Sequence, residues 1–242
     1  MLPFVLLASR AEDVAADGEY EAMLRYSGLT PDELVRVRLE AVPMPAIDLA
    51  AISGVIVGGS PFDASSSDKS PVQVRVEAEM SALLDRLVPA DFPFLGACYG
   101  VGTLGVHQGA VIDGTYSEPI SPTTISLTDE GRADPLLAGM PDSFEAFVGH
   151  KEACRTLPPS ATLLASSPAC PVQMFRVRSH LYATQFHPEL DVEGISTRIR
   201  VYRDYGYYEP RQADEVLAGV AAAQVGAVHA ILRRFVKLFA RS

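Results

Sequence analysis

Cys98 ends an apolar run and is flanked by two glycines, in the segment FPFLGACYG at residues 92–100. A side chain pushed out of a sharp strand-to-helix turn needs small neighbours, and Gly96 and Gly100 stand at the G-x-S-x-G spacing of a nucleophile elbow. Cysteine here takes the place of serine. A buried cysteine is more often a small hydrophobic residue, so a second motif is needed before Cys98 can be assigned as a nucleophile.

The second motif is YATQFHPEL at residues 182–190, which holds His187 and Glu189. A thiol becomes a strong nucleophile when an imidazole takes its proton, and a carboxylate fixes the tautomer and orientation of that imidazole. If the preceding residues form a strand, both side chains point to the same side of the backbone, and Pro188 between them stiffens it. Alone, the motif also fits a solvated strand end, but together with Cys98 it predicts a catalytic triad.

Taken together, the two motifs resemble those of the class I glutamine amidotransferases. The chain is similar in particular to stand-alone members related to the amidotransferase domain of GMP synthetase. The resemblance covers most of the chain, because VIVGGSP at residues 55–61 looks like the oxyanion strand of the family. The segment from Leu157 to the His187 motif looks like its closing β-meander.

The resemblance implies a role for each residue of the triad. Cys98 attacks the γ-amide of glutamine or of a γ-glutamyl compound and forms a glutamyl thioester. His187 acts first as general base and then as general acid, and Glu189 orients it. The oxyanion hole is then formed by the backbone N–H of Tyr99 together with that of Gly59, or alternatively of Ser60.

Four further residues are expected near the substrate. Gly58 and Ser60 flank the predicted oxyanion residue, and Glu118 and His150 lie in segments that border the cleft in the family. The resemblance suggests that Glu118 meets a substrate ammonium group, although a solvated loop glutamate fits the sequence equally well. For His150, a structural histidine with satisfied hydrogen bonds is the simpler interpretation.

Gly102 departs from the family pattern, which usually has glutamine four positions after the nucleophile. Losing that side chain removes a contact to the amino-acid end of glutamine and is expected to relax the pocket. The alternative function is therefore a γ-glutamyl peptidase or hydrolase that needs no partner. A non-catalytic binding protein with an amidotransferase scaffold is a third hypothesis, against which the intact triad counts.

Composition limits the partners. A net charge of −10 argues against binding to nucleic acid or to an anionic membrane surface. Three cysteines, with no paired spacing, suit a reducing cytoplasm and predict neither a disulfide framework nor a zinc site. We expect a soluble, cytoplasmic enzyme without metal or cofactor. Because no ATP-binding half is visible, a synthetase that accepts ammonia is the expected partner, and the oligomeric state is left open.

Short apolar runs alternate with helical patterns in the first half of the chain. Residues 3–8, 54–58 and 92–97 predict buried parallel strands, and Ser70, followed by Pro71, predicts the start of a helix. This order indicates an α/β fold, a three-layer α/β/α sandwich around a mostly parallel, flavodoxin-like sheet. Active groups then lie at the carboxyl ends of the strands.

The second half changes character. Residues 123–128 alternate as a strand does, and residues 172–177 and 181–186 predict a hairpin that brings His187 to the sheet edge beside the elbow. From Ala213 onward, apolar residues at helical spacing predict one long amphipathic helix that closes the core. We interpret residues 1–242 as a single class I glutamine amidotransferase-like domain.

Overall fold

The computed structural model describes all residues from 1 to 242, with a nine-stranded sheet at the centre. The strands are β1 (Phe4–Ala8), β2 (Leu34–Arg38), β3 (Gly54–Val57), β4 (Phe94–Ala97), β5 (Val111–Asp113), β6 (Glu118–Leu127), β7 (Ser143–His150), β8 (Ala153–Thr156), β9 (Ala161–Ser166), β10 (Met174–Val177) and β11 (Leu181–Thr184). The helices are α1 (Asp13–Ser27), α2 (Pro71–Ala90), α3 (Tyr99–His107), α4 (Asp129–Ala133), α5 (Val192–Val201), α6 (Ala213–Val220) and α7 (Ala230–Phe239).

The central sheet has the order β2-β1-β3-β4-β11-β10-β9-β6-β7, and β5 pairs with β8 in a separate two-stranded sheet. From β2 to β11 every neighbouring pair is parallel, whereas β10, β9, β6 and β7 continue the sheet with antiparallel pairs. The α/β sandwich with a flavodoxin-like parallel half and an added β-meander is therefore confirmed.

The predicted hairpin forms, but it does not end at the sheet edge. Strand β11 inserts between β4 and β10, with Thr184 in register with Ala97. Cys98 continues this pairing, because its N–H donates to the Thr184 carbonyl over 2.7 Å. The two predicted catalytic segments thus leave the sheet side by side, at the carboxyl ends of adjacent parallel strands.

Side chains of the inner strands point alternately into two cores, one on each face of the sheet. In β1, Phe4 and Leu6 belong to one core, while Val5 and Leu7 belong to the other. The helix predicted from Ser70 covers the second face as α2. Its cap is as expected, since the Ser70 hydroxyl accepts the Gln73 N–H.

The long helix predicted from Ala213 is broken into two. Helix α6 ends at Val220, and a 3-10 turn at Val225–Ala227 precedes α7. The break lets both Val220 and Val225 enter the core, which a straight helix would not allow, and Gln224 N–H is held by the Glu145 carboxylate.

Taken singly, none of the helices has the length and apolar character that a membrane crossing needs. By length and composition only the pair Pro210–Val220 and Val225–Phe239, bent by 79°, passes that test.

Candidate active site

Cys98 occupies the sharp turn between β4 and α3. Its φ of 55° and ψ of −80° are unusual for a residue with a side chain, and such strain is typical of a nucleophile elbow. A Cβ on Gly96 would lie 2.5 Å from the Gly100 Cα, so the turn requires glycine at position 96. The elbow predicted from the glycine spacing is therefore present in the backbone.

His187 follows β11 and is fixed on two sides. Its backbone N–H donates to the Phe147 carbonyl over 3.0 Å, and its ring Nδ1 lies 2.8 Å from Glu189 Oε1. The Glu189 side chain is fully buried. A cavity, here called the base-side cavity, is lined by His187 and Cys98 together. The structure thus brings together all three side chains of the predicted triad.

Three charged residues that sequence analysis did not single out surround this pair. Arg198 of α5 places Nη1 3.0 Å from His187 Nδ1, and its Nη2 donates to both Glu189 Oε1 (2.9 Å) and Glu19 Oε1 (3.1 Å). Glu19 of α1 also accepts from Arg10 Nε over 2.9 Å. All of these side chains are buried, so the two arginines and two glutamates form a compensated network.

Burial and this network set the proton affinities of the triad. Burial lowers the pKa of His187, with Arg198 acting in the same direction and Glu189 opposing both. Although burial alone would raise the pKa of Glu189, the His187 imidazole and the Arg198 guanidinium that contact its carboxylate hold that pKa well below its usual range. The site thus favours a neutral His187 imidazole beside an ionised Glu189 carboxylate.

The Cys98 thiol differs from expectation. Its position at a helix N-terminus and beside an imidazole predicts a lowered pKa, but burial raises the pKa of Cys98 to about 12, more than the nearby Arg10 and Arg198 lower it. This direction is opposite to the lowered pKa that the sequence predicts for Cys98. Burial thus favours a neutral Cys98 thiol beside a neutral His187 imidazole.

The glycine pair after β3 lies against the charged network. The Gly59 N–H donates to Glu19 Oε1 over 3.1 Å, and a Cβ on Gly59 would lie 2.8 Å from His187 Cε1. The Gly58 N–H donates to the Leu7 carbonyl, and a Cβ at Gly58 would collide with the Glu19 carboxylate. Both positions therefore need glycine for close packing, and both N–H groups are already bonded.

Ser60 is better placed than its glycine neighbours to face the thiol. It lines the base-side cavity and also a second cavity beside Cys98, and its backbone N–H makes no hydrogen bond within the chain. Tyr99 is the first residue of α3, where N–H groups lack partners inside the helix. The assignment of the oxyanion hole to Gly59 or Ser60 with Tyr99 stays a prediction.

The second cavity, here called the loop-side cavity, lies on the other side of Cys98. Its polar lining includes Asp63, Lys151, Glu152 and Gln185. Gln185 Nε2 approaches Cys98 Sγ to 4.0 Å. Tyr207 lines both cavities, and the Lys151 ammonium lies 4.8 Å from the centre of its ring. Gln185 lies in the YATQFHPEL motif, and Lys151 and Glu152 directly follow His150 in the segment that was expected to border the cleft.

Glu118 and His150 form a buried pair at the far wall. His150 lines the loop-side cavity, but its Nε2 lies 2.9 Å from Glu118 Oε2 and its Nδ1 lies 3.0 Å from the Glu152 carbonyl. Gln173 Nε2 donates to the same Glu118 oxygen over 2.6 Å. Glu118 lines neither cavity and instead contacts His150. The expected contact between Glu118 and a substrate ammonium group is therefore not supported by its position.

The same region holds the single candidate set of metal-ligating atoms. Donor atoms of Glu118, His150 and Cys170 lie within 4.8 Å of one another, and all three residues are buried. Each member already has a partner within the protein: His150 and Gln173 contact the Glu118 carboxylate, and Cys170 Sγ donates to the Val172 carbonyl. We assign it no metal.

Gly102 lines the loop-side cavity and has close neighbours on one side. A Cβ there would lie 3.0 Å from the Ala64 Cβ and 3.4 Å from Glu152 Oε1. Glu152 accepts the backbone N–H groups of Ala64 and Ser65 over 2.6 and 2.7 Å, which fixes the loop that follows Phe62. These neighbours leave little room on one side of Gly102, and the expectation of a relaxed pocket stays a prediction.

Residues 26–199 match the family model described as glutamine amidotransferase class-I. Among curated proteins, the chain is similar to one subunit of the glutamine-hydrolyzing GMP synthase of Thermococcus kodakarensis, with 26% identity over 168 residues, 69% of this chain and 80% of that protein. The corresponding protein of Thermoplasma volcanium is 27% identical over 159 residues, 64% of this chain and 72% of that protein.

Solved structures share the fold. A glutamine amidotransferase from Thermotoga maritima superposes with a TM-score of 0.78 at 21% identity, over 100% of both chains. A glutamine amidotransferase from Methylobacillus flagellatus gives a TM-score of 0.71 at 16% identity, over 100% of this chain and 97% of that chain. At these identities the likeness extends to the fold alone.

Proposed function

The chain belongs to the class I glutamine amidotransferase family, and from that membership we propose that it hydrolyses the γ-amide of glutamine with Cys98 as nucleophile. The observation that carries the proposal is the meeting of the strained Cys98 elbow and the buried His187–Glu189 pair at one cavity. A nucleophile, a base and a group that orients the base are the parts that acyl transfer through a thioester requires.

The first half of the reaction moves one proton and forms one bond. Cys98 Sγ attacks the amide carbon while His187 Nε2 takes the thiol proton, and the carbonyl electrons move onto oxygen. The free Ser60 N–H and the Tyr99 N–H are suited to stabilise this oxyanion. When the intermediate collapses, the imidazolium returns its proton to the leaving nitrogen. Ammonia departs and a glutamyl thioester remains.

The second half uses the same groups in reverse. His187 takes a proton from water, the hydroxide attacks the thioester carbon, and the proton returns to sulfur as glutamate leaves. Glu189 supports both halves, because its Oε1 accepts the Nδ1–H and so leaves Nε2 free to act as the base.

We propose that an ammonia-accepting synthetase on another chain is the partner. Two relatives are each named as one subunit of a GMP synthase, which implies a second subunit for them and supports the same division of labour here. All three cysteines are free, which supports a reducing, cytoplasmic setting. Ala64 and Glu152 lie close to Gly102 and leave little extra room there for a larger γ-glutamyl substrate, which supports glutamine over the γ-glutamyl peptidase alternative.

The test is glutamate release by the purified chain from glutamine and, separately, from a panel of γ-glutamyl dipeptides. We expect release from glutamine and none by Cys98→Ala. Because a missing partner can slow turnover, the same samples are treated with 6-diazo-5-oxo-norleucine, a glutamine analogue that alkylates the nucleophile, and mapped by mass spectrometry. Release from dipeptides alone, or no analogue on Cys98, would contradict the proposal.

A further inference from the structure

We infer that Arg198, anchored by Glu19, is a positioning residue that keeps His187 neutral between proton transfers. The inference rests on the proposed function of His187 as the base. Burial of His187 also disfavours its protonated form, but Glu189 opposes this effect, because a carboxylate that contacts an imidazole favours the protonated form. A base held permanently protonated by Glu189 would be unable to accept the thiol proton.

The geometry around His187 Nδ1 places an acceptor and a donor at one nitrogen. Glu189 Oε1 lies 2.8 Å away and Arg198 Nη1 lies 3.0 Å away. A single ring nitrogen cannot donate to the first and accept from the second at the same time. In the catalytic tautomer Nδ1 donates to Glu189, so the guanidinium faces an N–H and its repulsion grows when the ring gains a second proton.

Arg198 cannot easily leave this position. Its Nη2 is held by Glu189 Oε1 and Glu19 Oε1, and Glu19 is itself held by Arg10 and by the Gly59 N–H. The side chains of Arg198 and Glu19 are 6% and 0% exposed, so water screens their charges little. Glu19 is thus the counter-ion that makes a buried arginine next to the base tolerable.

The charge balance of the buried network also favours a neutral His187. Arg10 and Arg198 are matched by Glu19 and Glu189 when His187 is neutral, and an imidazolium adds an unmatched positive charge to the buried network. The charged and titratable groups that contact His187 or share its cavity come from several elements and are Arg10 after β1, Cys98 at the elbow, Glu189 on its own segment, Arg198 on α5, and Tyr202 and Tyr207 after α5. Two further groups lie one contact away: Glu19 of α1 bonds to Arg198, and His229 before α7 lies 2.8 Å from the Pro188 carbonyl through its Nδ1.

Arg198→Met tests the inference, because it keeps much of the side-chain length and removes the charge. Two readouts are measured from about pH 4.5 to about pH 8.5, namely the NMR titration of the His187 imidazole, assigned with His187→Gln, and the rate at which iodoacetamide alkylates Cys98. We expect the midpoint of His187 titration and the acid limb of alkylation to move up by about one pH unit, roughly a tenfold change in proton affinity. Arg198→Lys, which restores the charge, should return both toward wild type.

Removing one member of a buried ion pair risks unfolding, so the double variant Glu19→Gln/Arg198→Met removes one charge of each sign. It should show a shift in the same direction. A His187 midpoint unchanged from wild type in whichever variant folds would overturn the inference. Neither readout needs substrate, so failure to hydrolyse glutamine would count against the proposed function while leaving this result intact.

Discussion

The Cα atom of Gly100 lies 2.5 Å from the position that a Cβ on Gly96 would occupy. The two glycines of the elbow are therefore not equivalent. Gly96 must lack a side chain because Gly100 packs on it, whereas a Cβ on Gly100 would meet nothing within 4 Å. Sequence reasoning treated both as sterically required, and only the first is.

Gly96→Ala should destabilise the protein and displace the nucleophile. Overpacking of this kind costs about 1–3 kcal/mol, and the backbone shift it forces falls next to Cys98. Gly100→Ala is the matched control, because alanine within the first turn of α3 is favoured by up to ~1 kcal/mol over glycine. Thermal melts and glutaminase rates measure both effects. Equal loss in the two variants would contradict the steric asymmetry.

The triad should behave as a unit. Cys98→Ala and His187→Ala should each reduce kcat for glutamine by at least about a thousandfold, because each removes a group that bonds or transfers a proton. Glu189→Gln should retain measurable activity, since it alters orientation and charge and leaves nucleophile and base in place. His187→Ala with near wild-type activity would mean that another base operates, and His150 is the next histidine at the cavity.

The acid limb of kcat/KM for glutamine should lie below about pH 6.5, the ordinary value for histidine. The structural reason is that burial and Arg198 lower the pKa of His187, so the base stays neutral at pH values where a solvated histidine is protonated. The pH profile of the purified enzyme checks this. A limb above that of a solvated histidine would show that Glu189 outweighs both effects.

Stability should follow the same group. The pKa of His187 is lower in the folded chain than in the unfolded one, so near pH 6.5 the unfolded chain binds more protons. The stability contributed by keeping His187 neutral is fully present above about pH 6.5 and is lost as the pH falls toward the folded-state pKa. In that range the free energy of unfolding changes by about 1.4 kcal/mol per pH unit. Urea unfolding at several pH values should give a shallower slope for His187→Gln. Identical slopes would contradict the lowered pKa.

Gly102→Gln should impair the enzyme. A side chain at position 102 would press on Ala64 and on the Glu152 carboxylate that holds the following loop. We expect a raised KM for glutamine and faster proteolysis of residues 62–69. Glu152→Gln, which weakens the same anchor without adding bulk, is the matched comparison. A lower KM in Gly102→Gln would mean that the loop gives way and the new amide contacts substrate.

Much of the site could be predicted because its residues lie in short, patterned segments. The elbow glycines, the His-Pro-Glu motif and the Ser70 cap each lie within a few consecutive residues, so their spacing can be read directly from the sequence. Arg10, Glu19 and Arg198 meet only in the folded chain, and single charged residues in a sequence are typical of solvated surfaces. The break before α7 also escaped prediction, because helical periodicity continues on both sides of it while the core decides where the chain turns.

The adjacency of β4 and β11 governs when the site can exist. Because Ala97 pairs with Thr184, the thiol emerges from the ribosome long before its neighbouring strand has been made. Until residue 184 is available, β4 is an open edge strand that carries an unsupported cysteine, a species prone to aggregation and oxidation. Fragments that stop before β11 are thus expected to depend on chaperones. Activity should arise only after β11 has paired with β4.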